Sequence, residues 1–166
     1  MDENIKTNGV EELGIVVDDG SITVPIRNTQ GEMIGHFRFR PTDFNIVKRY
    51  NEVAQKFGEV IQPLIDANID ANGEGEDEES IKLLDQVEAE LFKLVDYMFD
   101  GNMAEAFFGK MHAFSPVDGH FYCENALAAV GQFISQRFEA ETKQISDRVD
   151  KYTHGYRTGK HKNGKK

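Results

Sequence analysis

In the stretch RPTDF, from Arg40 to Phe44, the apolar residues stop recurring at every second position and begin to recur at every third or fourth. Strands place alternate side chains on one face, whereas helices need the longer step. A chain with this change builds its sheet first and its helices afterwards. The expected class is therefore α+β: a small N-terminal antiparallel hairpin or sheet, followed by a mainly helical domain.

Before the change, Ile22, Val24 and Ile26 alternate with Thr23, Pro25 and Arg27, and the alternation resumes through EMIGHFRFR after the TQG turn. This pattern predicts strands near 21–28 and 32–40, with Gly31 allowing the bend. Pro25 has no N–H to give to a ladder, so its strand lies at an edge or beside a bulge, where it is protected or used by a partner. GIVV, at 14–17, is a candidate for one further short strand.

After the change, Pro41 fixes the approach to the first helix, and Thr42 or Asp43 can accept from its free N–H groups. Phe44, Val47, Tyr50, Val53 or Ala54, Phe57, Ile61, Leu64 and Ile65 then outline the apolar face of a helix of about 20 residues. Gly58 and Pro63 are positions where it can bend or close. NGEGEDEE, at 72–79, has five acids and two glycines; it reads as an exposed linker, since it lacks the alternating oxygens and the final glutamate of a calcium loop. Leu84, Val87, Leu91, Leu94 and Met98, with Ile81 and Val95 beside them, predict a second long helix, packed on the first as an antiparallel hairpin or set in a two-helix seam with another subunit. With fewer than three heptads, hairpin packing is the favoured expectation.

Asn102 can cap a short helix through Phe108 that Gly109 stops, and FSPVDG, at 114–119, is a loop. The last helix starts near Asp118 or His120, with Phe121, Leu127, Val130, Ile134 and Phe138 on its buried face. Beyond Phe138 the apolar residues thin to Ile145, Val149 and Tyr152. A helix running to about residue 151 is thus long and partly projecting, uncovered at its far end unless a partner covers it. Residues 1–40 make the N-terminal tail and hairpin region, 41–152 the helical body with its linker, and 153–166 a flexible basic tail, in one compact domain.

The charge is uneven. Residues 151–166 hold six Lys or Arg and no acid, which leaves 13 bases against 29 acids before them, a net charge of −16. A body of that charge repels a phosphate backbone, so general nucleic-acid binding is not expected. No N-terminal stretch has the pattern of a secretory leader, and no apolar run is long enough to cross a bilayer. Cys123, alone, forms no intrachain disulfide and suits a reducing compartment.

Chemistry finds little purchase in the sequence. There is no phosphate-binding glycine loop and no HExxH, CxxC or GxSxG element. His112, Asp118, His120 and Cys123 invite a zinc reading, yet they straddle a loop without the tight repeated pairs of a zinc site. Cys123 lies near a helix start, where N–H groups favour thiolate, but without an assigned histidine base it reads as a buried, inert thiol. No enzyme activity, cofactor or metal is expected. Binding is, from the Pro25 strand, the Phe-rich helices and the charged final segment. The candidate protein-binding residues are Pro25, Phe37, Phe39, Phe107, Phe108, Ile145, Val149, Tyr152, Arg157 and Lys160. For most of the aromatic residues among them, packing in a helical core is the competing expectation.

The stretches GEMIGHFRFRPTDFNIVKRYNEV (31–53), FDGNMAEAFFG (99–109), FYCENALAAVGQFISQRF (121–138) and KYTHGY (151–156), with the acidic linker between them, resemble the small tail proteins of long-tailed phages and prophages of Gram-positive hosts, the tail assembly chaperones. The likeness follows the order of elements over nearly the whole chain and includes no catalytic motif. It implies a non-enzymatic protein of the host bacterial cytoplasm, encoded between the tail tube and tape measure proteins. Such a protein coats the helical tape measure protein, keeps it soluble, recruits tube subunits and leaves before the tail is finished. In many such phages a frameshift yields a longer form, and this chain would match the shorter one. Self-association is a further expectation.

Under that resemblance Phe37, Phe39, Phe44, Val47 and Tyr50 carry over as the strand-to-helix region that defines the fold, and no catalytic residue carries over. The basic tail reads as an arm that reaches an acidic neighbour, or as a solubilising end. Two other functions fit an acidic chain of this size: an inhibitor of a host nuclease or defence complex, and a minor structural protein of the virion.

Overall fold

The computed structural model describes residues 13–67 and 78–159, with side chains as far as Thr153. A small antiparallel sheet comes first and a mainly helical region with a long last helix follows. The elements in order are β1 (Ile22–Arg27), β2 (Met33–Phe39), α1 (Asn45–Asp66), α2 (Glu78–Phe99), α3 (Met103–Phe108), the two-residue strands β3 (Pro116–Val117) and β4 (His120–Phe121), and α4 (Tyr122–Gly159).

β1 and β2 pair antiparallel from Ile22 opposite Phe39, through Pro25 opposite His36, to an irregularity between Ile26 and Arg27. The Asn28 Oδ1 accepts the N–H groups of Gln30 and Glu32 across the turn, and Gly31 supplies the positive φ of 83° that it needs. GIVV does not become a strand, and among the described residues no backbone hydrogen bond joins it to another element.

At the change of period, the Asp43 Oδ1 accepts the N–H of Asn45, the first residue of α1, at 2.9 Å. α1 and α2 pack as the expected antiparallel hairpin. The Arg49 Nε donates to the Met98 carbonyl at 2.9 Å, and the Tyr97 hydroxyl donates to Glu52 at 2.7 Å. The linker near 72–79 lies outside the described residues except for Glu78 and Glu79, whose acids favour the positive pole at the start of α2.

The core forms where β2, the end of α2, α3 and the start of α4 meet. Phe37 stacks on Phe39 with ring centroids 4.1 Å apart, while Phe99 and Phe107 meet Phe37 edge-on at 5.7 and 5.5 Å. Gly35 permits this closeness, because a Cβ there would lie 2.1 Å from the Ala106 carbonyl oxygen. β3 and β4 form a hairpin closed by Asp118 and Gly119, both at positive φ. It takes up the end of the expected 114–119 loop and the first residues of the expected last helix, so α4 starts at Tyr122 and Phe121 lies in β4.

Two expectations need correction. The buried face of α1 is Ile46, Val53 and Leu64, with Phe57, Val60 and Ile61 partly covered; Phe44, Val47, Tyr50 and Ile65 are exposed. The expected face thus holds at Val53, Phe57, Ile61 and Leu64 and fails at the two ends of the run; Arg49, which reaches the Met98 carbonyl of α2, lies on the buried side with them. Secondly, α4 continues to Gly159 instead of ending near 151, so residues 153–159 are helical and not a loose tail. A glycine costs a helix only about 1 kcal/mol relative to alanine, so Gly155 does not stop it. Residues 160–166 lie outside the described residues.

Candidate protein-binding surfaces

Burial divides the candidate residues. Phe37, Phe39, Phe107 and Phe108 are buried core side chains, not surface ones, because β2 and α3 turn them toward α2 and α4. Phe37, Phe39 and Phe107 nevertheless form the floor of an open groove of about 250 Å³ between β1 and α4. Pro25 is exposed on β1 at the lip of that groove. Arg157 lies in the last turns of α4, and Lys160 lies outside the described residues.

Ile145, Val149 and Tyr152 are exposed along one face of α4, at the four- and three-residue steps that align side chains on a helix. From Thr142 to Thr153 every residue of α4 is exposed, so this part of the helix projects from the body. The apolar residues of α1 that periodicity wrongly places in the core form a second uncovered stripe: Phe44, Val47 and Tyr50. Phe44 is 76% exposed, and its ring lies 5.3 Å from that of Phe138 on α4. Uncovered apolar side chains on two helices therefore begin at one contact. The sequence pattern places Phe44, Val47 and Tyr50 with Val53, Phe57, Ile61 and Leu64 on one face; the burial of Ile46, one step off that pattern, is the signal that the start of α1 turns a different side inward.

Among the described residues, the sequence-predicted titratable groups are not brought together. Among the described residues, Asp85, Glu88 and His112 bring their ligand atoms within 4.8 Å of one another. The His112 Nε2 lies 3.3 Å from Glu88 and 3.6 Å from Asp85. However, the His112 Nδ1 accepts the Phe114 N–H at 3.1 Å, so the neutral ring carries its proton on Nε2, the atom a cation would need bare. The Glu88 Oε1 is likewise committed, accepting the Ala113 N–H at 2.9 Å. The donor set ties the chain after α3 to α2 and fits a metal poorly. His112 thus pairs with distant α2 rather than with Asp118, His120 and Cys123. Cys123 is fully buried, and burial, then the neighbouring Glu124 charge, pushes its thiol up to about 11, the opposite of an activated thiolate.

No described helix is long and apolar enough to cross a membrane. No protein-family model matches the chain, and no curated protein or solved structure matches it.

Proposed function

We propose that this protein is a non-enzymatic phage tail assembly chaperone that binds the helical tape measure protein through apolar side chains left uncovered on α1 and α4. The observation that carries this reading is the pair of stripes that start at the Phe44–Phe138 contact. An amphipathic helix buries its apolar face by laying it against another apolar face, read at three- and four-residue steps. A tape measure protein is long and helical, with apolar stripes that stay exposed until the tube surrounds it. The strongly acidic body keeps a coated complex dispersed by charge repulsion.

Recruitment of the tail tube protein belongs to the same proposal. A purified tape measure segment, mixed with this protein and centrifuged, tests the reading. The segment stays in the supernatant with the protein and pellets without it. A segment that pellets equally in both tubes rejects the proposal.

A further inference from the structure

The two edges of the β1–β2 sheet are unlike. Along β2, Asn102 takes the place of a neighbouring strand: its Oδ1 accepts the Arg38 N–H at 2.7 Å and its Nδ2 donates to the His36 carbonyl at 3.0 Å. These bonds fix the alternation. His36 and Arg38 point away from β1, so their partners Pro25 and Thr23 turn their own backbone groups to the outer edge of β1. Among the described residues no backbone hydrogen bond reaches that edge from another element. It offers the Thr23 N–H and C=O and the Pro25 carbonyl.

A strand laid along this edge would send alternate side chains into the groove between β1 and α4. The groove continues past Ile26 and Phe107 into a second open volume of about 530 Å³. Ala129 lines both parts.

The same chain carries an unsatisfied strand of matching chemistry. Leu13, Ile15, Val16 and Val17 are 77–104% exposed in an arm without secondary structure before β1. Leu13, Ile15 and Val17 would share one face of a strand. The arm leaves from a segment pinned to the body by the Asp19–Arg40 ion pair at 3.3 Å, and it lies off its own β1. Arg27 and Lys110, at the rim of the groove, donate to the Gly31 and Met33 carbonyls and have no carboxylate ion-pair partner among the described residues, so a carboxylate such as Asp18, beside the arm, would meet two cations there.

We infer that the Leu13–Val17 arm of one copy adds as a strand to the outer edge of β1 in a second copy and fills its β1–α4 groove. Backbone pairing supplies the attachment and the alternating Leu13, Ile15 and Val17 supply the fit. Pro25, which removes one donor from the edge, limits which strands can pair there. This association stands apart from client binding, since it uses neither the α1 stripe nor the projecting half of α4.

Sedimentation of the full chain tests it with two variants at exposed positions, Ile15→Asp in the arm and Ala129→Glu in the groove wall, each checked for unchanged helix content. The wild type is expected to sediment above monomer mass, with a mass that rises with protein concentration. Each variant alone is expected to be monomeric. Their equimolar mixture should form a one-to-one pair, because the intact arm of one fits the intact groove of the other. A monomeric wild type, an Ile15→Asp chain that assembles like the wild type, or a mixture that stays monomeric overturns the inference. So does concentration-independent protection of the Ile15–Val17 amides in a monomer, which would place the arm on its own edge.

Discussion

The rings of Phe44 and Phe138 meet at 5.3 Å with their planes 43° apart, joining the start of α1 to the middle of α4 at the surface of the body. Phe44 is mostly exposed, so this contact fixes a helix direction more than it stabilises the fold. An aromatic pair adds about 0.5–1.5 kcal/mol beyond its buried area. Phe44→Ala is expected to lower stability by about 1 kcal/mol in urea denaturation. A loss three times as large would show that the α1 face is covered after all.

Leu91 stands at the opposite extreme, 1% exposed at the centre of α2. Leu91→Ala should cost about 2–5 kcal/mol, through lost burial and the cavity left behind. Phe57, only partly covered on α1, should cost clearly less when cut to Ala. An equal loss at both sites would mean that Phe57 is as deeply packed as Leu91.

Gly35→Ala tests the approach of β2 to α3. The added Cβ would meet the Ala106 carbonyl oxygen at 2.1 Å, where only a backbone shift gives relief. A loss of about 1–3 kcal/mol is expected, the usual range for overpacking. An unchanged denaturation midpoint would contradict the close contact.

Asp96 gives a pH dependence. It accepts the Ala104 N–H at 2.8 Å near the start of α3. Burial raises its carboxyl above the usual value, and the Glu105 charge adds to this, while the Ala104 and Met103 N–H groups pull the other way. The folded state thus takes up this proton before the unfolded chain does, and the carboxylate weakens the fold at neutral pH. Its penalty disappears as pH falls through the raised value toward about 4, the unfolded value. Asp96→Asn keeps an acceptor and loses the charge, so it should be more stable than the wild type at pH 7, with the gap closing near pH 4. Asp96→Ala loses the acceptor too and should cost about 0.5–2 kcal/mol relative to Asn. An Asn variant less stable than the wild type at pH 7 contradicts the sign.

Local rules carried much of this fold. The alternation around Val24 and Phe37 located the hairpin, and the step change at RPTDF located α1, because both depend on neighbours in sequence. The rotation of α1 was legible through Val53, Phe57, Ile61 and Leu64 but not at its ends, where Phe44, Val47, Tyr50 and Ile65 are exposed and Ile46 is buried instead. That depends on contacts with distant elements such as α2, whose Met98 carbonyl Arg49 reaches from 49 positions away. His112 is a similar case, since its carboxylate neighbours come from α2, although the three-residue spacing of Asp85 and Glu88 was a usable hint. The β3–β4 hairpin carried a local signal that was passed over: Asp118–Gly119 between Val117 and His120 is a two-residue hairpin turn. Of the candidate site, the outer residues Ile145, Val149 and Tyr152 were readable from the fading apolar pattern. The Phe44 stripe was not, because a side chain's exposure depends on what packs against it.

The central claim is that the uncovered stripes on α1 and α4 hold a helical client. Calorimetric titration of a tape measure segment into wild type, Val47→Asp/Tyr50→Asp and Ile145→Asp/Val149→Asp tests it most directly. All substituted positions are exposed, so the folds should survive with near-wild-type midpoints. Each double variant is expected to bind at least about tenfold more weakly, a change of about 1.4 kcal/mol. Wild-type affinity in both variants would contradict the account.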